Sequence, residues 1–470
     1  MNYFDLRSAL SKVIGRQSLL SKLSDKLSAV KEKGRKSNYH QFDVTAGKWN
    51  KLERLLNTEE VKSFAEISLR AAACPMPLNL DVWDGLLCGF GCRYCYADAF
   101  RASLYTSFFD NSKSIGMRHC NPDYYRGELD KLFKTRGKKP AGSDLQRAVC
   151  NSIPMRFGIR FEDFLPIEGK KKISLALLKH LATESYPVMI NTKSDLIARE
   201  DYIRSLTDND SGAAVHITLI SSNDKFLKDI EPGAPNYKRR IEAMRQLVKA
   251  GIRTVARIEP YMVFLNDDPE EVAQYIEDVW DTGVRHMTFD TYSYSANNPG
   301  IRRAFNRLGY DYSRSFLLGT DSQPIGSLLL SKFMDLFRKK GFSCSTFDLG
   351  NVPDNDDGIC CCEVGSYFKG DTGFNYGSAV SAIRFIQSKK GKKVSWSDYE
   401  NFVNTKGGFL SDELQNTMKR LWNLGGAGAF FVVWARGIEP AGSDENGAVY
   451  RFNSTTDFRE KIIKNLLSYE

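Results

Sequence analysis

The sequence lacks any long apolar stretch. Its longest apolar run, Ala429 to Ala435, has seven residues, whereas a membrane span needs about 20. The first residues, MNYFDLRSAL, have neither the apolar core nor the small-residue cleavage pattern of a secretory signal. We therefore expect no membrane partner and a cytoplasmic location.

Histidine is scarce, and internal repeats are absent. The five histidines include no H-x-x-x-H pair and no other metal-ligand spacing. His216 lies in an apolar run, and we expect it to be a hydrogen-bonded core residue. With 42% apolar and 26% charged residues, the composition excludes collagen, coiled coil and wholesale disorder.

Positive charge is concentrated at the amino terminus. The chain has 66 Lys and Arg against 57 Asp and Glu, a net charge of +9, and residues 1–40 supply +6 of it through nine basic and three acidic residues. A basic end favours polyanions such as nucleic acid. A solvated helical face explains the same charge equally well.

Short apolar runs alternate with amphipathic stretches through the middle of the chain. The clearest helix covers Asn236–Ala250 and is followed by the stop signal Gly251. Strand–helix units in series are typical of a parallel sheet. We therefore predict an α/β fold, a partial (β/α)6-type barrel with its chemistry at the carboxyl ends of the strands. The six predicted strands are Leu78–Val82, Met155–Phe157, Val188–Asn191, Ala214–Ile220, Thr254–Ile258 and His286–Asp290.

A length of 470 residues suggests about three structural units. The predicted regions are a basic helical extension at 1–73, the barrel at 74–343 with an insertion at about 101–150, a Cys- and Gly-rich segment at 344–379, and an α+β domain at 380–470. The last region follows the order of a winged helix, although a protein-docking or packing domain fits equally well. Its predicted elements are helices at Val380–Ser388, Ser397–Val403 and Ser411–Leu424, a strand at Phe430–Trp434, a polar loop at Gly437–Asn446 and a strand at Val449–Phe452.

Three of the ten cysteines are closely spaced directly after the first predicted strand. Cys88, Cys92 and Cys95 form a C-x3-C-x2-C pattern among glycines that allow a tight loop. Disulfides are rare in cytosolic proteins, whereas thiolates on such a loop can hold an iron–sulfur cluster. Three ligands leave one iron of a [4Fe–4S] cluster open to chelate a small molecule. The alternatives are a zinc site without its fourth ligand, or buried thiols.

Several ordered segments resemble the radical S-adenosylmethionine (AdoMet) superfamily, and in particular its spore photoproduct lyase-like branch. CGFGCRYCYA resembles the cysteine motif of that branch, RFEDFLPIE its second strand, and PVMINTKSDLIARE its third strand. The segment HITLISSNDKFLKDIEPGAPNYKRRIEAMRQLVKAGI resembles its fourth strand and the helices that follow. The resemblance covers about residues 78–290 and is much more specific than the cysteines alone.

The resemblance implies a definite chemistry. The three thiolates would hold a [4Fe–4S] cluster whose open iron binds AdoMet. An electron from the cluster would cleave AdoMet to a 5′-deoxyadenosyl radical, which abstracts hydrogen from a substrate. A reducing partner such as a flavodoxin or ferredoxin would supply the electron.

The same resemblance assigns roles to further residues. Lys193 would meet the AdoMet carboxylate as a point charge, and Thr218 would hydrogen-bond the methionine moiety. Glu231 and Arg240 would either contact AdoMet or brace each other. The aromatic residues that would line the adenosine and the radical path, unless they only pack, are Tyr94 and Tyr96.

Arg160 departs from the pattern of the branch. Repair members carry a cysteine three residues before the strand-two aspartate, whereas this chain has Arg160 there. That cysteine returns a hydrogen atom to the thymine radical, so dimer repair is doubtful here. An arginine could instead face a phosphate or carboxylate as a catalytic-site residue, and modification of a pyrimidine fits better.

A second departure is the run of three adjacent cysteines ending at Cys362, with Cys344 upstream. These thiols could ligate an auxiliary iron–sulfur cluster, donate hydrogen or serve only structure. Successive side chains diverge, so three adjacent cysteines cannot all reach one metal. Cys360 is our candidate for a catalytic thiol.

We therefore predict a radical AdoMet enzyme that acts on a nucleobase within a nucleic acid or nucleotide. One alternative is a radical AdoMet maturase that acts on a protein or peptide. Another is a non-catalytic, metal-dependent nucleic-acid-binding protein, which would be colourless and folded with zinc alone.

Replacing Cys88, Cys92 or Cys95 with Ala removes a thiolate that no nearby residue replaces. We expect each variant to lose both its iron content and its reductive cleavage of AdoMet, measured anaerobically as iron per chain and as 5′-deoxyadenosine. Full cleavage by any one of the variants would contradict the radical AdoMet interpretation.

Overall fold

A computed structural model describes residues 2–14, 59–61, 67–69, 72–85, 88–95, 117–136, 143–159, 161–292, 299–307, 324–356, 362, 368, 373–423, 436–457 and 459–460. The strands are β1 Glu59–Val61, β2 Ile67–Leu69, β3 Leu78–Leu80, β4 Trp83–Gly85, β5 Met117–Cys120, β6 Met155–Phe157, β7 Val188–Thr192, β8 Ala213–Thr218, β9 Arg253–Tyr261, β10 His286–Thr291, β11 Ser343–Thr346, β12 Lys393–Val394, β13 Ile438–Asp444 and β14 Gly447–Phe452. The helices are α1 Tyr3–Ile14, α2 Pro122–Phe133, α3 Asp144–Cys150, α4 Glu168–Lys171, α5 Ile173–Thr183, α6 Glu200–Thr207, α7 Asp224–Ile230, α8 Tyr237–Lys249, α9 Pro269–Asp281, α10 Pro299–Arg307, α11 Pro324–Lys340, α12 Ala379–Ser388, α13 Trp396–Thr405 and α14 Asp412–Asn423.

The main sheet has the strand order β11-β10-β9-β8-β7-β6-β3-β2. Its first seven strands are parallel, and β2 pairs antiparallel with β3. The predicted parallel α/β architecture and all six predicted strands are confirmed. A seventh parallel strand, β11, was not predicted, because its sequence SCST has neither an apolar run nor alternation.

The two faces of the main sheet carry different side chains. The outer face is apolar and lies under helices: Phe289 of β10, for example, contacts Phe333 and Phe337 of α11 at ring-centroid distances of 5.9 and 5.0 Å. Alternate residues point the other way. We call that side the inner face; it includes Asn79, Arg156, Met189, Asn191, Ala214, His216, Thr218, Arg253, Val255, Arg257, His286 and Thr288.

The predicted helix after β8 is confirmed, and its ends follow the capping rules. Asn236 accepts a hydrogen bond from the Arg239 amide at the start of α8, and Gly251 (φ +76°) follows its end. Ile241, Met244 and Leu247 are buried against the sheet. This helix carries Arg240 toward the carboxyl edge of the sheet.

The amino-terminal region is helical only in part. Helix α1 packs on the barrel: the Tyr3 hydroxyl lies 2.6 Å from that of Tyr261 and donates to Asp267, and Arg7 pairs with Asp267 at 3.1 Å. The predicted helical extension was wrong for β1 and β2, which pair with β5 and β3. Sheet pairing overrides the weak local helix propensity of these short segments.

The carboxyl-terminal region has the order α12-β12-α13-α14-β13-β14, with an antiparallel sheet of order β12-β14-β13. Its core is aromatic: the rings of Tyr399 and Trp422 stack at 5.5 Å. The three predicted helices are confirmed. The predicted loop Gly437–Asn446 is wrong, because most of it is strand β13; that strand is largely exposed and is defined by pairing with β14 rather than by burial. The predicted strand Phe430–Trp434 lies outside the described residues.

Arg459 connects the end of the described chain to the barrel region. Its fully buried guanidinium bonds Asp354 at 3.0 Å and the Ser327 hydroxyl of α11 at 3.1 Å. Within the described ranges, no helix is long and apolar enough to cross a membrane.

Candidate active site

The cysteine loop follows β4 at the carboxyl edge of the sheet. Cys88, Cys92 and Cys95 are half-buried. Two tight turns shape the loop, with hydrogen bonds from the Gly91 amide to the Cys88 carbonyl (3.1 Å) and from the Cys95 amide to the Cys92 carbonyl (3.2 Å). Gly91 has φ +58°, a conformation that favours glycine.

The segment after α7 holds this loop by backbone contacts. The Arg93 amide donates to the Ile230 carbonyl at 2.9 Å, and the Gly233 amide donates to the Phe90 carbonyl at 3.0 Å. A side chain at Gly233 would collide with the carbonyl oxygen of Gly89. Gly233 therefore permits the close approach of the two segments, a role that the sequence analysis did not identify.

A buried polar chain fixes the loop from the side. The Tyr94 hydroxyl donates to Glu231, and Glu231 forms an ion pair with Arg240 at 2.5 Å, with both charged side chains fully buried. Arg240 also donates to the carbonyls of Pro235 (2.8 Å) and Thr218 (3.0 Å). Glu231 and Arg240 thus brace each other, one of the two predicted alternatives, and the Thr218 backbone takes part in the brace.

Burial and neighbouring charges shift the pKa values of Arg240 and Tyr94. Burial alone would lower the pKa of Arg240, but Glu231 raises it above the usual value, so Arg240 stays charged. Burial, and then Glu231, raise the pKa of the Tyr94 hydroxyl well above its usual value. Tyr94 is therefore a neutral hydrogen-bond donor at physiological pH.

Lys193 lies at the end of β7 beside the cysteine loop. Its ammonium nitrogen is 5.6 Å from the centre of the Tyr94 ring. Burial would lower the pKa of Lys193, but Cys92, Glu231 and Glu162 together raise it above its usual value. The lysine is therefore a half-buried, permanently charged cation next to the three thiols.

Glu162 orients the end of β7 and was not identified from the sequence. Its carboxylate accepts hydrogen bonds from the Thr192 hydroxyl (2.6 Å) and the Lys193 amide (3.0 Å). Burial raises its pKa, and these hydrogen bonds oppose the rise. The neighbouring pair of buried carboxylates, Asp163 and Glu168, serves the scaffold. They accept from the backbone of Val82, Trp83, Gly158, Ile173 and Leu175.

The three residues predicted as catalytic, Tyr96, Arg160 and Cys360, lie outside the described residues. Two of the other downstream cysteines are described. Cys344 is buried in the main core, whereas Cys362 is buried in a separate small cluster with Cys74 and Met189 at the inner face. These two thiols do not converge, so the described residues give the predicted auxiliary cluster no support.

The three thiols of the loop suit a cluster better than a single ion. Across the described ranges, no three His, Cys, Asp or Glu side chains are arranged to hold one metal ion. Each thiolate of a [4Fe–4S] cluster binds a different iron, so its ligands need not converge on one point. Burial raises the pKa of the Cys92 thiol, while nearby Lys193 lowers it. The donor set and this cation fit the predicted cluster.

No protein-family model matches the chain. An uncharacterized protein of Methanocaldococcus jannaschii is 27% identical over 180 residues, which are 38% of this chain and 59% of that protein. Uncharacterized proteins of Mycobacterium bovis and Mycobacterium tuberculosis are each 21% identical over 220 residues, 46% of this chain. The chain spans 59% of the length of each of these relatives.

Among solved structures, a mutant of spore photoproduct lyase with bound AdoMet and dinucleoside spore photoproduct is similar. It is 12% identical with a TM-score of 0.43, over 72% of this chain and 96% of that chain. Streptococcus suis SuiB bound to S-adenosylmethionine is 12% identical with a TM-score of 0.30, over 50% of this chain and 47% of that chain.

Removing the buried cation should loosen the cysteine loop. We expect Arg240→Met to lower the free energy of unfolding by about 3–5 kcal/mol, because Glu231 is left as an uncompensated buried charge. Iron content after anaerobic reconstitution should fall with it. Denaturant unfolding and iron analysis measure the two effects.

The neighbouring arginine provides a matched control. Arg239 is 61% exposed and pairs with Asp195 at 2.6 Å, so Arg239→Met should cost at most about 1 kcal/mol. Equal stability of the two variants would show that the buried pair does not brace the loop.

Proposed function

We propose that this chain is a radical AdoMet enzyme. One observation carries the proposal: the cysteine loop is braced by Tyr94, Glu231 and Arg240 directly beside the charged side chain of Lys193. A braced loop keeps the thiols in place, and the lysine supplies a cation where AdoMet would bring its carboxylate. Because the cysteine loop and Lys193 are half-buried, the attraction between Lys193 and the AdoMet carboxylate would be stronger there than in water.

Each residue then has a separate task. Cys88, Cys92 and Cys95 would hold the [4Fe–4S] cluster. When bound, the cluster supplies the electron that cleaves AdoMet to a 5′-deoxyadenosyl radical. Lys193 would orient AdoMet, with its own backbone held by Glu162. The roles of Tyr96, Arg160 and Cys360, the flavodoxin or ferredoxin partner and the cytoplasmic location stay predictions.

For the substrate, we propose a nucleobase within a nucleotide or nucleic acid. Arg156, Arg253 and Arg257 lie on the inner face of the main sheet, a position that suits an anionic substrate. No described feature favours the peptide-maturase alternative, which stays untested. The zinc-module alternative is weakened by the lack of three convergent ligands among the described residues.

The carboxyl-terminal domain supports the nucleic-acid proposal through its topology and one basic turn. The order helix–strand–helix–helix–strand–strand, with β12 beside β14, is compatible with the winged helix that we propose for this domain. Acidic residues occupy the exposed β13–β14 turn (Asp444, Glu445) and the start of α14 (Asp412, Glu413). Those two surfaces would repel phosphates, so the contact must lie elsewhere on the domain.

The turn between α12 and β12 is the better surface. Lys389, Lys390, Lys392 and Lys393 are all exposed, and none pairs with a carboxylate in the described part of the chain. The turn is anchored by a hydrogen bond from the Gly391 amide to the Phe452 carbonyl (2.9 Å). Four unpaired cations on an anchored turn suit a run of phosphates.

Lys193→Ala should weaken AdoMet binding and leave iron content unchanged, because Lys193 would contact AdoMet and not the cluster. A hydrogen bond to a charged group is worth about 1.5–3 kcal/mol, which corresponds to a roughly 10- to 150-fold loss of affinity. Equilibrium binding of AdoMet to the anaerobic, cluster-loaded protein measures it, with exposed Lys172→Ala as the control. Unchanged affinity would remove Lys193 from the AdoMet site.

Replacing the four lysines of the α12–β12 turn with Gln should weaken binding to duplex DNA and flatten its salt dependence. Each lost phosphate contact reduces the slope of log K against log salt by about 0.9. If all four contacts are lost, raising the salt from 50 to 200 mM should reduce the affinity of the variant for DNA by a roughly 100-fold smaller factor than that of the unmodified protein.

The control for this experiment replaces three scattered, exposed lysines, Lys179, Lys249 and Lys339, with Gln. If both sets change the slope equally per charge, net charge rather than the turn governs binding. If the unmodified protein shows no salt-sensitive binding to DNA or RNA, the nucleic-acid proposal fails. All of these variants keep helix α1, because its residues Tyr3, Leu6 and Leu10 are buried against the rest of the molecule.

A further inference from the structure

Two buried polar side chains on the inner face each carry an atom with no hydrogen-bond partner among the described residues. Asn191 of β7 and His216 of β8 are directly paired in the register of these parallel strands. They are 4% and 1% exposed. No described residue bonds the Asn191 Oδ1 or the His216 Nε2. The prediction that His216 is a buried core residue is confirmed, and its Nε2 has no hydrogen-bond partner among the described residues.

Some neighbouring polar groups on the same face are partnered, whereas the Nε atoms of Arg253 and Arg257 also have no hydrogen-bond partner among the described residues. Arg156 donates to the Asn79 Oδ1 at 2.8 Å. Both ring nitrogens of His286 lie 2.8 Å from serine hydroxyls, those of Ser343 and Ser345. A buried polar atom without a partner destabilises the fold. Two such atoms on directly paired residues indicate a place that binds something.

The position of the pair is below the proposed AdoMet site. Asn191 is two residues before Lys193 along β7, and His216 is two residues before Thr218 along β8. Gly158 (φ +75°) lets the end of β6 approach this point, since any side chain there would collide with the Asn191 carbonyl. A group bound to Asn191 and His216 would therefore lie between the proposed cofactor and the side chains of the inner face.

The protonation state of His216 determines what the pair can bind. Burial, and then the neighbouring residues Arg257, His286, Arg253 and Arg156, lower its pKa well below the usual value. His216 is therefore neutral at physiological pH, with one N–H and one acceptor nitrogen. In the tautomer that protonates Nε2, it donates while the Asn191 Oδ1 accepts.

We propose that Asn191 and His216 read the edge of a nucleobase that carries a ring N–H next to a carbonyl, such as the imide edge of thymine or uracil. The base N–H would donate to the Asn191 Oδ1, and the adjacent carbonyl would accept from the His216 Nε2. This inference rests on the proposed nucleobase substrate and deepens it. A peptide amide offers the same two groups, but the surrounding arginines favour a ligand that also carries phosphate.

The test uses the full chain with its cluster and AdoMet, oxidised so that no turnover occurs. Calorimetry measures binding of thymidine 5′-monophosphate, of its N3-methyl derivative, which cannot donate, and of a neutral dipeptide amide. We expect N3-methylation to weaken binding to the unmodified protein at least 10-fold. In Asn191→Leu this discrimination should disappear, and in His216→Leu binding of the parent nucleotide should fall at least 10-fold.

Thermal unfolding separates recognition from a structural role. Asn191→Leu and His216→Leu remove polar atoms without described partners, so the melting temperature should stay equal or rise. His286→Leu is the matched control: it leaves Ser343 and Ser345 without their partner, so it should lower the melting temperature and keep the discrimination against the N3-methyl nucleotide.

Three results would overturn the inference. They are equal binding of the parent and N3-methyl nucleotides, no binding of any nucleotide, and tighter binding of the dipeptide amide. Failure of the proposed function is a separate outcome, because AdoMet cleavage is measured on reduced protein without nucleotide. Nucleotide discrimination that survives a lack of cleavage would leave the recognition site standing without the radical chemistry.

Discussion

The ion pair between Glu231 and Arg240 is the interaction on which the candidate site depends. Both charges are fully buried, and each is costly without the other. The pair joins three parts of the chain: Tyr94 of the cysteine loop, the segment after α7, and helix α8, which also bonds the end of β8 through Thr218. Replacing it with apolar residues could be neutral for stability, but it would remove the directional contact to Tyr94.

A second constraint is the difference between the faces of the main sheet. The outer face contributes apolar packing, such as the contacts of Phe289 with α11. The inner face carries the polar residues Asn191, His216 and Arg257, and it is apolar at Val255 and where Met189 and Ala214 meet Cys74 and Cys362. Buried polar groups lower stability unless they are partnered. Their concentration on one face, next to the cysteine loop, is the pattern expected of a site that stability alone would not produce.

The sequence predicted elements well where local patterns agree with burial. The β7 and β8 strands are mostly apolar and buried, and α8 has both an amphipathic pattern and an Asn236 cap. Prediction from the sequence failed where pairing with a distant strand, and not a local pattern, defines the element. β11 is short and polar, and β13 is an exposed edge strand, so neither has a hydrophobic signature. Glu162 and Gly233 were missed because their roles come from contacts with segments distant in sequence.

The sequence by itself determined the parallel α/β order and the thiol loop with its motif segments, because strand alternation and ligand spacing are local properties of the chain. The sequence offered a Glu231–Arg240 brace only as one of two alternatives, and only the tertiary structure showed that the two residues pair and that Lys193 lies beside Tyr94. The tertiary structure alone brought Asn191 next to His216. These contacts join residues on different strands and helices. The register between those elements follows from packing and from the total burial of charge. No local sequence pattern encodes it.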